Sequence, residues 1–253
     1  MTAKIAFVAS RRPEAQTALR SMTTKYGQCD EADADVIVAL GGDGCMLDTL
    51  RRRFDDPRPV YGMNQGTVGF LMNDYQESDL QKRLDRAERA VIYPLRMSVK
   101  TLDGETSTRL AINEVSLLRQ SSQTARLQVT IYGRVRMSAL SCDGVLVATP
   151  AGSTAYNLSA HGPILPIGAN LLALTPISPF RPRRWRGALL RHDAVVKIDV
   201  TTPELRPVAA SADNQEVRDA VSVTITEERS KPLVMLFDEG HALEERILQE
   251  QFA

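Results

Sequence analysis

Two kinds of hydrophobic patterning divide the chain. In the first, continuous apolar runs alternate with amphipathic stretches: Ile5 to Ala9, a helix-like segment from about Pro13 to Lys25, then Val36 to Leu40 ending at Gly41. A continuous apolar run has no polar face, which marks a strand buried on both sides of a parallel sheet. Met46 to Arg53 reads as a helix start, Val60 to Met63 as a third strand, and Ser78 to Arg89 as a charged amphipathic helix capped by Ser78. Strand alternating with helix is the pattern of an α/β sheet.

After Tyr93 and Pro94 the period changes to two. Leu95 to Thr101, Leu110 to Leu118, Ala125 to Ile131 and Val135 to Leu140 are short runs with alternation, and Asp103-Gly104 and Tyr132-Gly133 are turn signals between two of the pairs. Val145 to Ala148, Ala194 to Val200, Val208 to Ser211, Val221 to Thr226 and Leu233 to Phe237 extend this largely antiparallel part. Ala242 to Gln251 reads as an amphipathic helix with Leu243, Ile247 and Leu248 on one face. The pattern predicts an α/β Rossmann-like N-terminal domain and a β-rich, β-sandwich-like C-terminal domain. Their expected boundaries are 1–94 together with 238–253, and 95–237.

Composition narrows the partners. Among 253 residues, 31 Lys and Arg balance 31 Asp and Glu. A protein that binds nucleic acid or an anionic membrane surface through its own charge needs a basic excess, and neither partner is expected. The three cysteines form no CxxC pair and the three histidines show no metal-ligand spacing. The reading is a reduced, cytosolic chain without a protein-built metal site. The first ten residues carry no export pattern. From Gly144 to Phe180 there is no Asp, Glu, Lys or Arg, but five prolines break that stretch and argue against a membrane span.

Three constellations carry chemistry. Gly41-Gly42-Asp43-Gly44 follows a buried strand and precedes a helix, where glycines allow a phosphate to approach the backbone and free N–H groups favour anions. A carboxylate there is repelled by phosphate unless it takes a proton or meets a metal ion; a tight turn capped by Asp43 is the plain alternative. Asn113-Glu114 places adjacent polar side chains on opposite faces of a strand. Asn can read an adenine edge or a ribose and Glu accepts from hydroxyls, or the pair is an exposed interruption. The block Thr149 to Pro163 is dense in small and hydroxylic residues, suited to a polyhydroxylated, heteroaromatic ligand or else a loop without duty. Ser153 lacks the G-x-S-x-G elbow of a hydrolase, and no Gly-Lys pair exists for a Walker loop.

In order and spacing, the GGDG loop, Gly66-Thr67-Val68-Gly69-Phe70, Asn113-Glu114, Asp143-Gly144 and the Thr-Pro-Ala-Gly-Ser-Thr-Ala-Tyr block resemble the NAD kinase family across nearly the whole chain. GGDG alone also resembles lipid kinases and phosphofructokinases; the later block is far more specific.

The resemblance implies phosphoryl transfer from ATP or polyphosphate to the 2′-hydroxyl of the NAD adenosine ribose, giving NADP, with Asp43 as general base. It implies a divalent metal, usually Mg²⁺, carried on the donor phosphates. Position by position, Gly42 and Gly44 face the diphosphate and ribose, Phe70 the adenine side, and Asn113 and Glu114 the adenosine and ribose groups. Asp143 would bond the nicotinamide ribose or carboxamide across a subunit interface. Ala151 and the segment Thr154, Ala155, Tyr156, Asn157 to Ser159 would wrap the rings and sugars, and Gln215 would close over the ligand. A homotetramer or homodimer is implied. Cys45 departs from the Thr or Ser common after GGDG, and Asn214 from a glycine or serine. The arginines between Arg181 and Arg186 suggest either a phosphate clamp or a solvated face. The rivals are a lipid or sugar kinase sharing the loop, and a dinucleotide sensor that needs no base.

Overall fold

The structure is a computed structural model that describes residues 3–65 and 69–240. The chain divides into two compact units, Met1–Ile92 with Ser230–Ala253, and Tyr93–Arg229.

The first unit contains β1 (Ile5–Ala9), α1 (Pro13–Tyr26), β2 (Val36–Gly41), α2 (Asp43–Arg51), β3 (Val60–Asn64), α3 (Leu80–Arg86) and β4 (Glu88–Ile92). The second contains β5 (Leu95–Thr101), β6 (Thr106–Ala111), β7 (Glu114–Arg119), β8 (Ala125–Ile131), β9 (Arg134–Cys142), β10 (Gly144–Ala148), α4 (Tyr156–Ser159), β11 (Leu171–Ile177), β12 (Ala188–Arg191), β13 (Val196–Val200), β14 (Val208–Ala212), β15 (Gln215–Val217) and β16 (Ala220–Glu227). The chain then returns to the first unit with β17 (Leu233–Phe237).

In the first unit the strand order is β1-β2-β3-β17-β4. β1, β2, β3 and β17 run parallel and β4 closes the edge antiparallel. Every residue of β2 is buried, as the continuous run Val-Ile-Val-Ala-Leu requires of a strand covered on both faces. The second unit has two six-stranded antiparallel sheets, β12-β11-β10-β7-β14-β15 and β6-β5-β16-β13-β8-β9. Their inward residues, among them Met97, Val99, Val115, Leu117, Val129, Val147 and Ile198, form one core. In β8 the alternation Ala-Arg-Leu-Gln-Val-Thr-Ile maps directly onto that core and solvent.

Two placements differ from the sequence expectation. Leu233–Phe237, assigned by its neighbours in the chain to the β-rich part, lies between β3 and β4 in the first sheet. All five of its residues are buried, and such an unbroken apolar run suits a doubly covered sheet better than an alternating one. The helix expected over 78–89 ends at Arg86, with Asp79 rather than Ser78 at its N-cap. Glu88–Ile92 pairs instead along β17, and its β-branched Val91 and Ile92 fit an edge strand. β11, which sequence reading left inside the uncharged stretch, carries Pro176 beyond the Leu171–Leu174 segment that pairs with β12; its missing N–H is lost from no β11–β12 bond. The helix expected over 242–251 lies outside the described residues.

One buried amide ties the first unit together. Asn73 is fully buried; its Nδ2 donates to the carbonyls of Gly62 and Leu236 at 3.0 Å, and its Oδ1 accepts the Asp238 N–H at 2.9 Å. It thereby joins β3 to β17, two strands far apart in sequence. Asn73→Ala should remove three side-chain hydrogen bonds, the Gly62 carbonyl keeping only the residue-73 backbone N–H, and destabilise the first unit by about 1–3 kcal/mol, measurable by urea unfolding with a probe in that unit. A loss below about 0.5 kcal/mol would contradict the staple.

Candidate functional site

In the first unit the polar residues gather at the carboxyl ends of the parallel strands, where open α/β sheets present ligand sites. Ser10 follows β1, Gly41 to Gly44 span the exit of β2, and Asn64 and Gln65 end β3. The Ser10 N–H donates to the Leu40 carbonyl at 2.9 Å and the Gln65 N–H to the Gly41 carbonyl at 2.6 Å. Gly41 must be small: a Cβ there would come within 2.6 Å of the Cys45 Cβ. At Gly42 and Gly44, by contrast, an added Cβ would meet nothing within 4 Å among the described residues.

Asp43 opens α2, with Gly42 as its extended N-cap. Its two carboxylate oxygens accept the Phe70 and Leu71 N–H groups, each at 2.9 Å. Gly69 lies against the carboxylate so closely that a Cβ would approach Oδ1 to 2.7 Å. Each oxygen keeps a second lone pair for another donor. Phe70 is half-buried, and its backbone rather than its ring holds Asp43. The Cys45 thiol points back at the Leu40 carbonyl, 3.6 Å away, and burial raises its pKa.

In the second unit the run expected over Leu110 to Leu118 is broken: β6 ends at Ala111, Ile112 and Asn113 form a bend whose N–H groups go to Asp213 rather than to a ladder, and β7 begins at Glu114, so Asn113 precedes the strand instead of alternating within it. Gly152 lies flat against Asn113; a Cβ on it would fall 2.2 Å from the Asn113 carbonyl oxygen. Thr149 completes the junction, its N–H donating to the Asn113 carbonyl at 2.9 Å, its hydroxyl donating to the Ile112 carbonyl at 2.7 Å and accepting the Gly152 N–H at 3.0 Å. Asp213, at the β14–β15 turn with φ +50°, accepts the N–H groups of Ile112, Asn113 and Glu114 at 2.9, 2.9 and 3.3 Å. The Glu114 Oε2 is buried without a hydrogen-bond partner among the described residues. Desolvation first, and the Asp213 charge second, push the Glu114 carboxyl up to about 7.

The Thr149–Pro163 block separates into two kinds of residue. Ala151 is buried, Thr154, Ala155 and Tyr156 are half-buried, and Ser159 is exposed. Asn157 is fully buried and its side chain is committed internally: Nδ2 donates to the Ser153 and Pro163 carbonyls at 3.2 and 2.8 Å, and Oδ1 accepts the Thr175 hydroxyl at 2.7 Å. It shapes the block from beneath. Burial raises the Tyr156 phenol, with the charges of Glu114 and Asp143 adding to the effect, so these three chemical groups act on one another. Asp143 is paired with Arg119, Nε to Oδ1 at 2.6 Å. Gln215 is exposed at the start of β15.

Beside Tyr156 and Ser159 opens a cavity of about 540 Å³, lined also by His161, Phe180, Trp185 and the arginines Arg183 and Arg186. It has no acidic lining residue. Arg181 and Arg183 both lie over the Phe180 ring, at 6.0 and 5.2 Å. Among the described residues no group of three or more His, Cys, Asp or Glu could hold a metal ion, and no helix is long and apolar enough to cross a membrane. Sequence reading placed Thr149, Gly152 and Gly69 inside motifs without giving them a role and did not single out Asp213, because nothing local shows that its carboxylate reaches a segment 99–101 residues earlier.

Known proteins share this organisation. Residues 2–90 match the ATP-NAD kinase N-terminal domain and residues 112–235 the ATP-NAD kinase C-terminal domain. An NAD kinase of Hyphomonas neptunium is 64% identical over 250 residues, spanning 99% of this chain and 98% of its own length. The fold is also that of yeast NADH kinase complexed with NADH, at TM-score 0.85 and 22% identity over 98% of this chain and 87% of that one. An Archaeoglobus fulgidus NAD kinase in complex with ATP gives TM-score 0.78 at 22% identity, over 98% of both chains.

Two outcomes test this geometry. Gly152→Ala should force apart the Asn113–Gly152 contact and lower stability by about 2 kcal/mol or more, read by thermal unfolding; an unchanged midpoint would show the contact can relax. The second concerns Glu114. Below its ordinary value of 4.5 both folded and unfolded chains hold the proton; between 4.5 and about 7 the unfolded chain ionises first and the fold loses stability, fully so above about 7. Glu114→Gln should therefore match the parent at pH 4 and exceed it at pH 8, by up to about 3 kcal/mol. Parallel stability curves for the two proteins would contradict this.

Proposed function

Because the chain belongs to the NAD kinase family, we propose that it transfers a phosphoryl group from ATP, or polyphosphate, to the 2′-hydroxyl of the adenosine ribose of NAD, making NADP. Asp43 is the general base in this reading. A secondary alcohol is a weak nucleophile until a positioned base draws off its proton. The oxygen then bonds to the donor's terminal phosphorus, the bridging P–O bond breaks, and ADP or the shortened polyphosphate leaves with its charge.

The observation that carries the reading is the setting of Asp43. Its carboxylate is oriented by two backbone N–H groups, flanked by two glycines, and set at the start of α2. N–H groups at such a start favour phosphate oxygens, while Asp43 itself supplies the acceptor for a proton. The second unit contributes acceptor recognition: Asn113 and Glu114 for adenosine and ribose groups, Ala151 and Thr154 to Tyr156 as a close-fitting wall, Ser159 as a hydroxyl partner, and Asp143 and Gln215 at its margins. Asn157 supports that wall through its internal hydrogen bonds. A divalent cation on the donor phosphates would neutralise their charge. The net charge of zero supports small-molecule partners over nucleic acid. Assembly into homodimers or homotetramers and a cytoplasmic location complete the reading.

Asp43→Asn keeps the side chain's size and removes the base, at the loss of one of the two bonds from the Phe70 and Leu71 N–H groups. NADP formation from NAD and ATP should fall by roughly 10²- to 10⁴-fold, with NAD binding, measured by calorimetry, changed less than about threefold. Near-parental turnover would remove Asp43 from that role.

A further inference from the structure

Asp213 makes an arrangement that the proposed chemistry has not used. Its one carboxylate receives three consecutive backbone N–H groups, those of Ile112, Asn113 and Glu114, and its own N–H donates to the Glu114 carbonyl at 3.0 Å. The turn that carries it holds Asp213 at φ +50°, a conformation Asp and Asn tolerate and most residues resist. Two antiparallel strands, β7 and β14, pair from Val115 with Ala212 onward; Asp213 extends the connection past that pair through its own N–H to the Glu114 carbonyl and through its carboxylate to Ile112 and Asn113. The segment it grips is the one whose other side Gly152 and Thr149 cover.

We infer that Asp213 is a positioning residue: it fixes the backbone of Ile112 to Glu114 so that Asn113 and Glu114 present one geometry to the acceptor, and its charge adds to burial in setting whether Glu114 meets that acceptor as hydrogen-bond donor or acceptor. The inference rests on the reading of Asn113 and Glu114 as contacts to the adenosine and ribose of NAD. The electrostatic part follows from the neighbours. Among the described residues Glu114 has its Oε2 buried and unpartnered, and the ionisable groups that act on it are the Asp213 carboxylate and, from α4, the Tyr156 phenol. A negative charge beside a desolvated carboxyl favours the protonated form. Protonated Glu114 offers an O–H to a ribose oxygen or a ring nitrogen; ionised Glu114 accepts from ribose hydroxyls.

Asp213→Asn removes the charge and keeps most of the shape: Asn tolerates the same φ and its Oδ1 still accepts the Asn113 and Glu114 N–H groups, while its Nδ2 gives up the bond from the Ile112 N–H. Asp213→Gly keeps the turn and deletes the grip. The Glu114 titration, followed by carboxyl ¹³C NMR and identified by its loss in Glu114→Gln, should move from near 7 toward acid by roughly one pH unit in Asp213→Asn. The pH at which the KM for NAD changes should move with it, while kcat on the plateau changes less than about threefold. In Asp213→Gly the KM for NAD should rise at least about tenfold, with kcat less affected. An unmoved Glu114 titration in Asp213→Asn overturns the inference whatever the kinetics do. So does an unchanged KM in Asp213→Gly when Asn113→Ala raises it. If the titration moves but neither Asp213→Gly nor Asn113→Ala alters NAD binding, the assignment of Asn113 and Glu114 to NAD fails while the coupling between the carboxyls stands.

Discussion

The contact between Gly152 and Asn113 is the constraint on which the second unit's site depends. No side chain fits between them, since even a methyl carbon would fall within 2.2 Å of the Asn113 carbonyl. That proximity lets Thr149 reach both Ile112 and Asn113 with its backbone and hydroxyl. It follows that the Thr149–Pro163 block is not a free loop: its first turn is fastened to the strand that begins with Glu114. Asn157 and Ser153 then fasten the block's later part, the Ser153 hydroxyl accepting the Leu165 N–H at 3.0 Å. With the polar atoms of Thr149, Ser153 and Asn157 spent internally, Thr154, Tyr156 and Ser159 are left facing outward on a rigid base, which is the order of support a specific site requires.

Both units solve the problem of aiming a functional segment in the same way, by closing a carboxylate over backbone N–H groups distant in sequence. Asp43 does so with Phe70 and Leu71, and Asp213 with Ile112 to Glu114. Charge-assisted bonds of this type are stronger than neutral ones and directional. The two carboxylates differ in what they leave over. Asp213 is the holder and Asn113 and Glu114 are held; Asp43 is held, and the lone pairs its two N–H partners do not occupy are what it can offer.

Much of this was legible in the sequence because it is local. The apolar run of β2, the glycines after it, and the alternation of β5, β8 and β13 follow from residue period and turn chemistry, and the structure has them where the pattern puts them. What period could not reveal was partnership across the chain. β17 joins the first sheet because an unbroken apolar run needs cover on both faces, yet nothing local says which sheet provides it. Asn73 reads as one polar residue in a loop until its three partners, up to 165 residues away, are in view. The same holds for Asn157, whose density of small neighbours suggested a ligand contact while its amide is occupied from within. A motif indicates that a residue matters; only its hydrogen bonds tell whether it faces the ligand or supports what does.

The even balance of charge across the chain conceals an uneven arrangement at the candidate sites. Asp143 is neutralised by Arg119, and the cavity beside Tyr156 carries Arg183 and Arg186 with no acid among its lining residues. Glu114 is the exception in the opposite sense, a buried carboxyl with an oxygen that no group among the described residues satisfies. Buried polar atoms are nearly always paired in folded proteins, and leaving one unpaired costs stability that packing elsewhere must offset. Such a cost is retained where a group from outside completes the bond. Ribose hydroxyls and ring nitrogens are groups of that kind, and the buried Oε2 at the start of β7 is what supports the reading of Glu114 as a ligand contact.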